Sequence, residues 1–165
     1  MGVVSVTVNG KDFSLPRDKV IAFRNFAKKI WNMEMFMIIM FGEYKQRVPY
    51  YSSKISGKLT KEDKTILSKL EKTIRLVNKS LAKYRFADAS DTIYHFMWDD
   101  LASNYLETIK DKDDKKLSLS VFRYVYFSCL KLLHPFMPFV TECIWQETEA
   151  FRDDTKPLIV TSWPK

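Results

Sequence analysis

Read at 100° per residue, the stretch from Arg24 to Phe36 has two unlike faces, and a helix keeps both of them continuous. Val20, Phe23, Ala27, Ile30 and Trp31 gather on one side as an apolar stripe suited to packing against other helices. Asn25, Lys29, Asn32 and Phe36 gather on another, at spacings of four, three and four. Ser14-Leu15-Pro16 opens this helix, with Pro16 near its first turn and Asp18 set against the N-terminal dipole. It is expected to run to about Phe41 and stop at Gly42.

Downstream, the same period recurs between clear breaks. Thr60 caps a second helix, supported by Asp63 three residues on, and Ile66, Leu67, Leu70, Ile74, Val77 and Leu81 carry it to about Lys83. A third helix runs from near Phe86 to about Lys110, with a core stripe of Phe86, Ala89, Ile93, Met97, Leu101 and Asn104, flanked by Tyr94, Trp98 and Tyr105. On that phase Leu106 falls on the opposite, polar face, beside His95, Asp99, Ser103 and Lys110. Leu117 to Leu133 is apolar nearly all round and is therefore expected to be central. His134-Pro135-Phe136-Met137-Pro138 ends it, and Pro138 starts a fifth helix through about Glu149, with Val140, Ile144 and Trp145 inward. The tail from Pro157 to Pro164 reads as extended. The expected fold is all-α, a bundle of about five helices over residues 13–165. Val3 to Val8 alternates like a strand, so residues 1–12 read as an orphan extended arm from an upstream domain.

Only four Gly and six Pro in 165 residues agree with long regular elements. The net charge of +7 is concentrated: Arg17 to Lys58 holds nine Lys or Arg against three Asp or Glu. The basic excess thus sits on the first helix and the irregular connection after it, which favours a polyanionic partner, nucleic acid before membrane. Cys129 and Cys143 lack metal-ligand spacing and read as small core residues of a reducing compartment. The apolar run from Met35 to Phe41 is too short to span a bilayer.

No glycine-rich phosphate loop, Gly-x-Ser-x-Gly elbow or paired-His motif occurs. Neighbours on a helix point about 100° apart, so Asp99 and Asp100 would not share a substrate. A binding role is expected rather than catalysis. Amides offer donors and acceptors to base edges, an ammonium suits phosphate or a base oxygen, and a ring suits stacking. The Asn25–Phe36 stripe therefore fits a grip on single-stranded RNA. An ordinary solvated face with one exposed ring would show the same period. A third reading is a protein-interaction module that uses Met33, Met35, Met37 and Met40 as a groove for a partner helix.

Four islands in order carry a resemblance: Phe23-Arg24-Asn25-Phe26-Ala27-Lys28-Lys29-Ile30-Trp31-Asn32 with Phe36; Tyr84-Arg85-Phe86-Ala87-Asp88-Ala89; Phe96-Met97-Trp98 followed by Tyr105-Leu106-Glu107; and Leu132-Leu133-His134-Pro135-Phe136-Met137-Pro138-Phe139. Ser162-Trp163-Pro164 closes the set. From about Phe13 to Pro164 the chain resembles the anticodon-binding helical bundle of class I aminoacyl-tRNA synthetases, the valyl type before the leucyl and isoleucyl types. The resemblance implies that the bundle holds the anticodon stem-loop of tRNA-Val, with Lys29, Asn32, Phe36 and Leu106 at the anticodon. Asn25 belongs to the same stripe, and Arg24, Lys28, Lys45 and Arg47 are expected to supply a phosphate-backbone field. It further implies a monomeric, ATP- and Mg-dependent cytoplasmic ligase whose catalytic domain lies elsewhere in the polypeptide, no cofactor in this fragment, and no membrane partner. Three positions depart from the family pattern: Met35 stands for an arginine, Lys28 for an asparagine and Asn104 for an aromatic residue.

Overall fold

The computed structural model describes residues 17–43, 48, 51, 59–151 and 155–164. The expected arm, the Ser14-Leu15-Pro16 opening, Lys45 and Arg47 lie outside the described residues. Helix α1 spans Arg17–Glu43, α2 Lys61–Leu81, α3 Phe86–His95, α4 Leu106–Lys110, α5 Lys116–Leu133 and α6 Pro138–Glu147. A π-helical segment, Phe96–Tyr105, joins α3 to α4, so these three form one continuous rod. The result is an all-α bundle of five rods, with no strand among the described residues.

Local chemistry places each boundary. The Asp63 amide donates to Thr60 Oγ1 at 3.3 Å, and the Thr60 amide donates to Asp63 Oδ2 at 3.0 Å, a reciprocal capping box at the start of α2. After α2 the chain reverses through Tyr84, whose φ of 57° is unusual for a residue with a side chain. Pro138 sits in the first turn of α6, where its missing N–H costs no helical bond. His134 caps α5, and its Nδ1 lies 2.8 Å from Thr141 Oγ1, tying the break to the next helix.

Helix α5 is the central rod: Val121, Phe122, Val125, Tyr126, Cys129 and Leu130 are wholly buried. The Tyr126 hydroxyl donates to the Ile30 carbonyl at 3.0 Å, fastening α5 to α1. Helix α2 packs against α3, the π segment and α5. The tail folds back over α6: the Trp145 indole donates to the Lys156 carbonyl at 2.8 Å, and the Leu158 amide to Glu142 Oε2 at 3.0 Å. Trp163 then reaches Asn78 of α2 at 2.8 Å. A short 3-10 turn over Leu158–Val160 interrupts the extended course expected there.

The buried face of α1 is Phe26, Ile30, Met33, Met37 and Phe41, not the stripe centred on Phe23 and Ala27; Val20 is 51% exposed. Met33 and Met37 are core residues and Met35 is exposed, so the four methionines do not form one groove. Cys143 is exposed, against the expectation of a core thiol, because α6 buries one side only through Thr141, Ile144 and Trp145.

The larger departure concerns the third rod. Through Leu101 the expected stripe holds, except that Phe86 at its start is exposed: Ala89, Ile93, Met97 and Leu101 are fully buried. Beyond it the phase turns. Asn104 is exposed and Leu106, expected on the polar face, is buried at 6% exposure among core residues. The cause is the π segment. The Leu106 amide bonds to the Leu101 carbonyl, five residues back rather than four. Each such ring takes in one residue more than an α-turn, so every side chain downstream is rotated relative to a constant 100° step.

Candidate nucleic-acid interface

On helix α1, the Asn25–Lys29–Asn32–Phe36 stripe lies roughly 100° around the axis from the buried line of Phe26, Ile30, Met33 and Met37. It is therefore a flank of the helix and not its outer pole, which is held by Arg24, Lys28 and Met35, all exposed. Within the stripe, Asn25 and Asn32 lie farther from the core and are exposed. Lys29 and Phe36 lie nearer and are half-buried.

The two half-buried members reach different neighbours. Lys29 Nζ donates to Ser103 Oγ of the π segment at 3.1 Å and stands 4.6 Å above the centre of the Trp98 ring. Trp98 is stacked on Tyr94, with ring centres 5.8 Å apart and planes 17° apart, and Tyr94 meets Phe26 at 4.8 Å. A ladder of rings thus runs from the core of α1 to the seam where the ammonium sits. Phe36 instead turns its ring onto Phe122 of α5, edge to face at 5.7 Å. Part of its surface is thereby spent on the core, and the ring is half-buried.

Of the residues expected at the anticodon, the structure brings Lys29, Asn25 and Asn32 together on one open flank and carries Phe36 along it. Leu106 belongs to the core, one turn past Ser103. Arg24 and Lys28 adjoin the stripe on the solvent side. Two residues not expected at this site, Ser103 and Trp98, meet Lys29 there. The four-residue step from Tyr94 to Trp98 is a legible aromatic pair, but Ser103 carries no signal of its own. Asn104 opens into a groove of about 230 Å³ between α2 and the π segment, beside Lys61, Lys69 and Thr108.

Electrostatically, the seam is a half-buried cation beside exposed amides. Three acidic residues of the neighbouring rod are matched locally: Asp99 lies 3.0 Å from His95 Nδ1, Glu107 bonds Lys110 at 2.8 Å and Asp100 pairs with Lys69. No group of three or more metal-ligating side chains occurs among the described residues. No helix of the described residues is long and apolar enough to cross a membrane.

Residues 63–165 match the family model described as the anticodon-binding domain of tRNA ligase. The chain is 38% identical over 162 residues to the valine–tRNA ligase of Geobacillus kaustophilus, covering 94% of this chain and 18% of that protein. The corresponding protein of Geobacillus stearothermophilus shows the same identity and coverage. That of Bacillus cereus is 35% identical over 161 residues, again across 94% of this chain and 18% of the relative. The chain therefore spans less than a fifth of the length of these relatives. Coverage of 94% leaves too few residues unmatched to exclude the 27-residue helix α1 from the similarity.

Proposed function

Because the chain belongs to the anticodon-binding domain family of tRNA ligases, we propose that its α1 flank reads the anticodon loop of tRNA-Val within a valine–tRNA ligase. The observation that carries this reading is the position of the Lys29 ammonium, held at the seam of α1 and the π segment with the amides of Asn25 and Asn32 beside it. A cation fixed at one point can select a single base oxygen, whereas a freely waving lysine finds any phosphate. Asn25 and Asn32 supply donor and acceptor pairs to base edges. The exposed part of the Phe36 ring packs on a splayed base. Arg24 and Lys28, with Lys45 and Arg47, supply the sequence-independent attraction to phosphates. Leu106 does not touch RNA in this reading; it packs in the core at the start of α4.

Catalysis, in the same reading, lies in another domain of the polypeptide that binds ATP with Mg and activates valine, in a monomeric enzyme of the cytoplasm. The present domain contributes recognition. Titration of the 165-residue chain with anticodon stem-loops that differ only at the anticodon tests it. The valine anticodon is expected to bind most tightly, with an affinity that falls as salt rises. Equal affinity for all anticodons would leave only an unspecific basic bundle.

A further inference from the structure

We infer that Ser103 and Trp98 of the π segment are positioning residues for anticodon discrimination, forming a two-sided seat that aims the Lys29 ammonium at one RNA acceptor. This rests on the anticodon-reading role proposed above for Lys29.

The seat is a directed chain of contacts. The Ser103 hydroxyl has one proton, and it is donated to the Trp98 carbonyl at 2.8 Å. Its lone pairs are thereby turned outward, and one accepts from Lys29 at 3.1 Å. The Trp98 ring faces the same ammonium from 4.6 Å and is itself braced by stacking on Tyr94. Of the three N–H bonds of the ammonium, one is engaged by Ser103 and one side is turned to the ring, which leaves a single direction toward an acceptor on RNA. Such an arrangement restricts the ammonium before RNA arrives, so less rotamer freedom is lost on binding.

The seat depends on the π geometry. Ser103 reaches the carbonyl five residues behind it, the span of a π turn. On a regular α-helix the carbonyl one turn back would be that of Asp99, and the hydroxyl of residue 103 would take a different azimuth relative to α1. The ten-residue π segment is thus a functional element as well as a change of phase.

The test compares Ser103→Ala and Ser103→Thr with the unaltered 165-residue chain, using stem-loops that carry the valine anticodon or one altered anticodon base. Two quantities are read: the ratio of the two affinities, and the proton shift of the Lys29 ε-methylene, which the Trp98 ring current moves upfield. Ser103→Ala is expected to lower the ratio about tenfold and to return the Lys29 shift toward that of a free lysine. Ser103→Thr keeps the hydroxyl and should preserve both. Trp98→Leu should abolish the upfield shift. An unchanged ratio in Ser103→Ala, or an equal loss for both stem-loops, overturns the inference while leaving the anticodon reading intact. An unaltered chain that does not distinguish the two stem-loops overturns both.

Discussion

The Tyr105 hydroxyl donates to Oδ1 of Asp63 at 2.6 Å, joining the last residue of the π segment to the first turn of α2 in the interior of the bundle. The same hydroxyl lies 3.1 Å from the Ser118 carbonyl of α5, and Lys112 Nζ reaches Ser118 Oγ at 2.7 Å and Thr60 Oγ1 at 3.0 Å. Three rods and the loop before α5 therefore meet at one buried carboxylate. Burial opposes its ionisation, but the bonds from Tyr105, the Thr60 amide and their neighbours prevail and hold the Asp63 pKa below its ordinary value.

Tyr105→Phe removes one of these donors and leaves the carboxylate buried. A loss of about 1.5–3 kcal/mol is expected in urea unfolding at pH 7. A depressed carboxyl pKa stabilises the fold above the unfolded value, and that stability disappears as pH falls through the folded one. The substitution should therefore move the acid limb of the stability curve to higher pH. An acid limb that stays in place would mean that Tyr105 does not govern Asp63.

Glu34 has the opposite sign. It is wholly buried on α1, and neither of its oxygens meets a hydrogen-bond partner of good geometry. Burial, then the charge and carboxyl of Glu147 on α6, push its pKa up to about 7. The folded state holds the proton more tightly than the unfolded chain, so this contribution is complete below about pH 4.5 and is lost as pH rises to about 7. Glu34→Gln should flatten stability over that window and raise it at pH 8 by roughly 1–3 kcal/mol. Thermal melts at pH 5 and pH 8 decide the point; a variant no more stable at pH 8 than the unaltered chain counts against it.

Lys29→Ala and Lys28→Ala separate reading from attraction. The two side chains are adjacent in sequence, but Lys28 is exposed on the outer side and Lys29 is seated against Ser103 and Trp98. Lys28→Ala should weaken every RNA stem-loop alike and lower the salt slope by about 0.7–0.9. Lys29→Ala should cost the valine anticodon about tenfold more than an altered one. Identical profiles for the two variants would remove the distinction.

Leu106→Ala should act on stability first. Emptying a buried leucine site costs about 2–5 kcal/mol, which lowers Tm by several degrees in a chain of this length. At temperatures where the variant remains folded, discrimination between stem-loops should persist. Lost discrimination with undiminished Tm would instead put this side chain against a base.

Much of the bundle was legible in the residues. The Thr60–Asp63 capping box, the proline-rich break after Leu133 and the apolar circumference of α5 each state a local preference that no neighbour needs to complete. The boundaries of the five rods follow from them to within a few residues. The polar stripe of α1 was legible for the same reason, since four side chains on one helix share a phase whatever the helix packs against.

What the amino-acid sequence determined alone is thus the number, length and order of the rods and the alignment of Asn25, Lys29, Asn32 and Phe36. The tertiary structure decided which side of α1 is buried, that Phe36 leans on Phe122, and that Glu34 lies inside, close enough to Glu147 of α6 to feel its carboxyl. It also decided the fate of Leu106 and Asn104. A periodic reading assumes one angle per residue, and nothing in Phe96–Tyr105 marks a departure from it. The wider turn becomes visible only where Tyr105 meets Asp63 of α2, and Ser103 meets Lys29 of α1, so that the C-terminal end of the segment is held by two other rods.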